Sequence, residues 1–148
     1  MDAKAFKKIV NDVFLSKGMS KNGSYFYSET EEITVVVGLQ KSNFSNGYYI
    51  NVGYIIRQLN SAVTIPKDVD GDIRTRFGFD KGGNEVDLFD LDYFPGSNEQ
   101  VLKSILEDNI AKYILPIKST ETLKILINEK PVLLYQTKLL AKQLLGFE

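Results

Sequence analysis

Two runs of strict alternation constrain this chain more than any other feature. Ile33, Val35, Val37 and Leu39 alternate with Thr34, Val36, Gly38 and Gln40. After a short break, Tyr48, Ile50, Val52, Tyr54 and Ile56 alternate with Tyr49, Asn51, Gly53, Ile55 and Arg57. Period-two alternation of β-branched and aromatic residues is what a half-buried strand requires. Asn43, Ser45, Asn46 and Gly47 lie between the runs and suit a hairpin loop. The expectation is a pair of long antiparallel strands at the centre of a sheet. A two-residue turn at Ser45-Asn46 or at Asn46-Gly47 keeps both apolar sets on one face. The first of these would set Gly38 opposite Gly53, leaving a flat notch where another backbone or a ligand could approach.

The flanking segments read as partners for that hairpin. Phe6, Ile9, Val10, Val13 and Phe14 recur at helical spacing, with Gly18 placed to end the helix after Lys17. Lys21-Asn22-Gly23 is a turn, Tyr25, Phe26 and Tyr27 begin a short strand, and Ser28 to Glu32 is a polar connection. Ile73, Thr75, Phe77 and Phe79 alternate with Asp72, Arg74, Arg76 and Gly78, and Phe89, Leu91 and Tyr93 alternate with Leu88, Asp90 and Asp92. Successive strands with tight turns and no intervening helix argue for an antiparallel meander. Beyond Pro95-Gly96 the chain reads as helical. Ser97 and Gln100 form a capping box ahead of Val101, Leu102, Ile105, Ile110, Tyr113 and Ile114. Ser119 or Thr120 caps a short helix carrying Leu123, Leu126 and Ile127. Pro131 opens a final helix that runs through Leu133, Leu134, Leu140, Ala141, Leu144 and Leu145 to Gly146. The fold class expected is α+β: an antiparallel four- or five-stranded meander sheet with an N-terminal helix and C-terminal helices packed against it. The 148 residues carry no repeat, low-complexity tract or linker, so a single domain over 1–148 is expected.

Two absences narrow the chemistry. The sequence has no cysteine and no histidine, which removes disulfides, thiolate nucleophiles, thiolate zinc sites and Ser–His–Asp triads. Catalysis would have to run on carboxylates, lysine, tyrosine or a carboxylate-bound metal, so the reading leans away from an enzyme. The formal net charge of -1 supplies no field to draw in nucleic acid or an anionic membrane. No apolar run reaches the roughly 20 residues a membrane helix needs. The start of the chain lacks an apolar leader, so a cytoplasmic location is expected.

Four constellations could carry function. The arginines Arg57, Arg74 and Arg76 fall on the non-core parity of their strands, alongside Gln40, Tyr49 and Asn51. Guanidinium forks on a rigid sheet suit an anion or an acidic partner. Against this, a three-residue loop at Gly82, Gly83 and Asn84 would set Arg76 opposite Asp90 and Arg74 opposite Asp92, so that the arginines answer the aspartates. Asp68, Asp70 and Asp72 have a calcium-like spacing. The sixth and twelfth loop positions, however, hold Ile73 and Phe79 rather than glycine and glutamate, and a solvated turn is expected. Asp87, Asp90 and Asp92 do not converge, since Asp87 has the opposite parity. Asn46 to Val52 resembles a single-stranded RNA-binding strand, but Asn46 replaces the opening basic residue and Tyr48 shares the core parity.

Short motifs along most of the chain also resemble a bacterial family classed as domain of unknown function 4304. They are Ala5-Phe6-Lys7-Lys8-Ile9, Leu39-Gln40-Lys41-Ser42, Tyr49-Ile50-Asn51-Val52-Gly53, Ile73-Arg74-Thr75-Arg76, Asp90-Leu91-Asp92, and Leu115-Pro116 followed by Ser119. Where that family often has aromatic residues, commonly tryptophan, just before the aspartates, this chain has Leu88-Phe89. The resemblance implies an α+β fold and carries no activity. The functional expectation is therefore a non-catalytic protein-binding module, of accessory or immunity type, that meets another protein through Arg57, Arg74, Arg76, Gln40, Tyr49 and Asn51. No cofactor, metal, nucleic acid or membrane is expected. The alternative is a metal-dependent enzyme or binder of a phosphate-containing ligand through Asp90, Asp92, Arg74 and Arg76.

Overall fold

The computed structural model describes residues 1–60, 65–94 and 98–147. Helix α1 (Ala3–Ser16) starts where Asp2 accepts a hydrogen bond from the Ala5 N–H at 2.8 Å and stops before Gly18, whose φ of 87° is left-handed. Its buried stripe is Phe6, Ile9, Val10, Val13 and Phe14. This stripe lies on the sheet, with Phe6 stacked on Tyr48 at 5.3 Å between ring centroids and Phe14 edge-on to Phe26 at 4.7 Å.

The sheet begins with a strand the alternation did not predict. β1 (Ser20–Asn22) pairs with β2 (Tyr25–Glu29) across the turn at Gly23, and β2 pairs with β3 (Ile33–Lys41). The long hairpin of β3 and β4 (Gly47–Ile56) forms as expected, but its loop does not. Ser42 to Asn46 make a longer loop, closed by Ser42 N–H donating to Gly47 O at 2.9 Å. It is braced by Phe44 N–H on Ser42 Oγ at 3.2 Å and by Lys41 Nζ on Ser45 O at 2.9 Å. These internal bonds replace the two-residue turn. The parity is unchanged, so the faces are as expected, but Gly38 pairs with Asn51 and Gly53 with Val36, and the two glycines do not oppose each other.

The outer edge of β4 is shared. β5 (Ile73–Arg76) takes Asn51 to Tyr54, and β8 (Leu88–Asp90) takes Gly47 to Tyr49. Between them the chain leaves the sheet as a separate hairpin, β6 (Phe79–Lys81) and β7 (Asn84–Val86), turned by Gly82 and Gly83 at φ 61° and 91°. Two successive positive φ values define a two-residue turn that only residues like glycine adopt readily, not the three-residue loop expected. The exit point is fixed by α2 (Glu99–Tyr113). Its buried Asn109 accepts from Gly78 N–H at 3.0 Å and donates to Gly78 O at 2.8 Å. With both backbone groups of Gly78 claimed, strand pairing stops there. The expected pairing of Arg76 with Asp90 and of Arg74 with Asp92 does not form, because β8 lies on β4 and not on β5.

Two further expectations change. The Asp68–Asp70 stretch is not a solvated turn. It is a 3-10 turn within a strap, Pro66 to Asp72, that crosses the non-core face of the sheet. Tyr27 donates its hydroxyl to Pro66 O at 2.7 Å, and Asp72 accepts the Ile56 N–H at 2.8 Å. Beneath the strap, Tyr27, Val36 and Ile55 form a small second core with Tyr25. The final helix is also broken. Pro131–Gln136 is a 3-10 segment, Thr137 is extended and bridges Ile73, Lys138 N–H donates to Asp72 O at 2.8 Å, and only then does α4 (Leu139–Leu145) form. The backbone used on the edge of β5 cannot also continue a helix.

On the main face, α2 and α3 (Thr120–Glu129) complete a single apolar cluster running from Phe6 to Leu145. Ser119 caps α3, accepting from Thr122 N–H at 3.2 Å. The Ser97 capping box falls on a residue outside those described. Val101, expected in the apolar stripe of α2, is exposed. No helix of the described residues is long and apolar enough to cross a membrane.

Candidate functional site

Because β3, β4 and β5 keep their parity, Gln40, Tyr49, Asn51, Arg74 and Arg76 share the non-core face. Four of them form one cluster. Asn51 Nδ2 donates to Gln40 Oε1 at 2.9 Å, and Arg76 Nε donates to Asn51 Oδ1 at 2.9 Å. Arg76 also reaches Gln40 Oε1 at 3.4 Å and lies 4.0 Å from the centroid of the Tyr49 ring. Its remaining nitrogen meets Asp87 at 3.6 Å. The guanidinium is thus stacked and bonded on every side, as its planar fork permits. The carboxylate that answers Arg76 is Asp87, not Asp90. The parity that separated Asp87 from Asp90 and Asp92 was the one sequence signal pointing to this.

Arg74, opposite Gly53, is exposed and has no ion pair or side-chain hydrogen bond among the described residues. Arg57 is not part of the cluster. It lies just past the end of β4, four residues beyond Gly53 and about 13 Å away at strand rise. There its Nε donates to Thr34 Oγ1 at 2.8 Å, with Glu29 at 4.0 Å. The strap fills the sheet face between them, and its Asp68 and Asp70 charges add to burial in raising the hydroxyl pKa of Tyr25.

A cleft of ≈ 750 Å³ opens beside Arg74 and Arg76. Consecutive residues Arg74 to Gly78 form its floor. Neighbours in a strand point to opposite faces, so a cleft lined by all five runs over the strand's edge rather than over one face. One wall is Glu85 to Leu88, which run from the end of β7 into the start of β8. The other is Lys130, Val132, Leu133 and Gln136. The Lys130 ammonium donates to the Tyr113 hydroxyl at 2.7 Å. The cleft therefore carries cations from Arg74 and Lys130, an Arg76–Asp87 pair that neutralises itself, Glu85, and an apolar lining. Nothing in the periodicity placed Lys130 or Val132 near Arg74. They lie more than fifty residues away in the chain, and the break at Thr137 brings them there.

Asp90 and Asp92 do not join the arginines. Asp90 Oδ1 accepts the Asp92 N–H at 2.9 Å, and Asp92 Oδ1 accepts from Asn46 Nδ2 at 3.2 Å. Asp90 pairs with Gly47 while Arg74 pairs with Gly53, a separation of about 20 Å along β4. Among the described residues no group of three or more carboxylates could hold a metal ion.

The fold and cleft define a small α+β protein built on an antiparallel sheet with one opened edge. Residues 10–120 match the family described as Domain of unknown function (DUF4304), and the chain belongs to that family. No curated protein and no solved structure matches it.

Proposed function

We propose that this protein is a non-catalytic binding module, of accessory or immunity type, which engages another protein through the cleft at the edge of β5. The observation carrying this reading is the contrast between two neighbouring arginines. Arg76 is locked by Asn51, Gln40, Tyr49 and Asp87, whereas Arg74 stands at the mouth of a ≈ 750 Å³ cleft with its guanidinium unengaged. A fixed cation beside a free one, next to apolar walls, is suited to recognition. A chain without histidine or cysteine offers little for acid–base or nucleophilic chemistry in that cleft. It also needs no oxidising compartment to fold, in keeping with a cytoplasmic role. The metal-dependent alternative loses its support from the separation of Asp90 and Asp92 from Arg74.

The test compares wild type, Arg74→Glu and Ile125→Glu as baits in lysate of the source cell, after folding of each is verified by circular dichroism. Ile125 lies on a separate groove between α2 and α3. A protein held by wild type and Ile125→Glu but lost by Arg74→Glu is the expected outcome. Retention by Arg74→Glu, or capture of nothing, would sink the cleft reading.

A further inference from the structure

We infer that the outer face of α4, with the segment leading into it, docks on an anionic lipid surface and lies on the membrane without crossing it. α4 is apolar on two sides. Ala141 and Leu145, four residues apart, are buried against the rest of the protein. Leu140 and Leu144, also four apart, stand on the outside with Leu139 beside them, exposed at 65 %, 37 % and 54 % respectively. Tyr135, four residues before the helix, is 86 % exposed. A helix that is apolar all round is normally covered all round. An exposed apolar patch of this kind marks a contact with a protein or a membrane. None of these four residues lines the cleft beside Arg74, so the face is a second site and stands apart from the binding-module reading.

Charge selects what covers this face. From Lys130 to Phe147 the chain has three lysines and no acid, and its 19 Asp and Glu residues all lie outside that stretch. Lys138 and Lys142, one turn apart, border the leucines and have no ion pair among the described residues. Lys124 of α3 brings its ammonium to 3.9 Å from where a Cβ on Gly146 would lie, at the end of α4. A second copy meeting this face across a two-fold axis would set these lysines against their own kind. Protein interfaces are depleted in lysine, and leucine is under-represented among the residues that carry their binding energy. Leucine and tyrosine bordered by lysine is the composition of a surface that rests among lipid headgroups. The apolar side chains enter the acyl boundary, and the long lysine stems keep their ammonium groups at the phosphates. The net charge of -1 does not oppose this. Beyond a Debye length of about 8–10 Å charge is screened, so a membrane meets the local charge and not the total. No described helix is long and apolar enough to cross a membrane, in keeping with a contact made from one side.

The test floats the full chain with vesicles of phosphatidylcholine alone and of phosphatidylcholine with one-third phosphatidylglycerol. Wild type should float with the anionic vesicles and not with the neutral ones, and high salt should release it. Leu140→Gln/Leu144→Gln changes exposed positions only and should abolish flotation. Lys138→Gln and Lys142→Gln should each weaken it about five-fold. Phe44→Gln removes a side chain that is 98 % exposed on the β3–β4 loop, and this variant should float as wild type does. The chain has no tryptophan, so Tyr135→Trp supplies a single reporter whose emission should shift to the blue on anionic vesicles. Circular dichroism verifies the fold of each variant. No flotation, equal flotation with neutral vesicles, flotation that survives the leucine change, or dependence on Phe44 would each overturn the proposal. So would an unshifted tryptophan emission, or sedimentation showing that the leucine face joins two copies of the chain. A lysate partner lost on the leucine change, without flotation, would give the face to a protein and overturn it equally.

Discussion

Asn60 Nδ2 lies 2.7 Å from one carboxylate oxygen of Asp72 and 2.8 Å from the other, holding a buried acid at the end of the strap. The same carboxylate accepts the Ile56 N–H at 2.8 Å, just beyond the pairing of β4 with β5. Asp72→Ala would leave that N–H buried without an acceptor, and a loss of about 2–3 kcal/mol is expected. Asn60→Ala spares the Ile56 bond and should cost about 1 kcal/mol. Urea unfolding at unchanged m would read both values. Equal, small losses would mean that this carboxylate does not anchor the strap.

Tyr54 gives a test with pH. Its hydroxyl is fully buried and donates to Tyr113 O at 2.7 Å. Burial, and secondarily Tyr113, raise its pKa well above the ordinary 10.0. The folded state therefore favours the protonated phenol. The stability this contributes is complete below the unfolded-state pKa and drains away as pH rises from about 10 toward the folded value. Tyr54→Phe should be less stable than wild type at pH 7 by about 1 kcal/mol. The gap should close or reverse above about pH 10. Melting temperatures of both proteins across that range decide it, and parallel curves would refute it.

The strap's contact with the sheet can be tested at two glycines. A Cβ on Gly53 would meet the backbone carbonyl of Asp68, which cannot move without lifting the 3-10 turn. A Cβ on Gly38 would meet the edge of the Tyr25 ring at 2.8 Å, a side chain that can rotate away. Gly53→Ala is expected to cost about 1–3 kcal/mol and Gly38→Ala clearly less. Thermal unfolding that ranks them the other way would show that the strap is not seated on Gly53.

Much of the architecture is local and was readable. The stripe from Phe6 to Phe14, the alternation of β3 and β4, Ser119 as a helix cap and Gly18 and Gly146 as helix stops all depend on residues within a few positions of one another. Parity also survives a slip of two residues, so Gln40, Tyr49, Asn51, Arg74 and Arg76 share a face although the loop at Ser42–Asn46 is longer than a two-residue turn. What the sequence could not settle was which distant group claims each backbone donor and acceptor. Asn109 takes both groups of Gly78 and ejects the β6–β7 hairpin. β8 then finds β4 rather than β5, so Arg76 meets Asp87. Asp72 and Ile73 draw in Thr137 and Lys138, which breaks the last helix and sets Lys130 and Val132 against the edge of β5. Periodicity decides which way a side chain faces, because that depends on the chain's own rise and twist. The cleft exists because several segments compete for the same edge hydrogen bonds, and only their packing in three dimensions decides that competition.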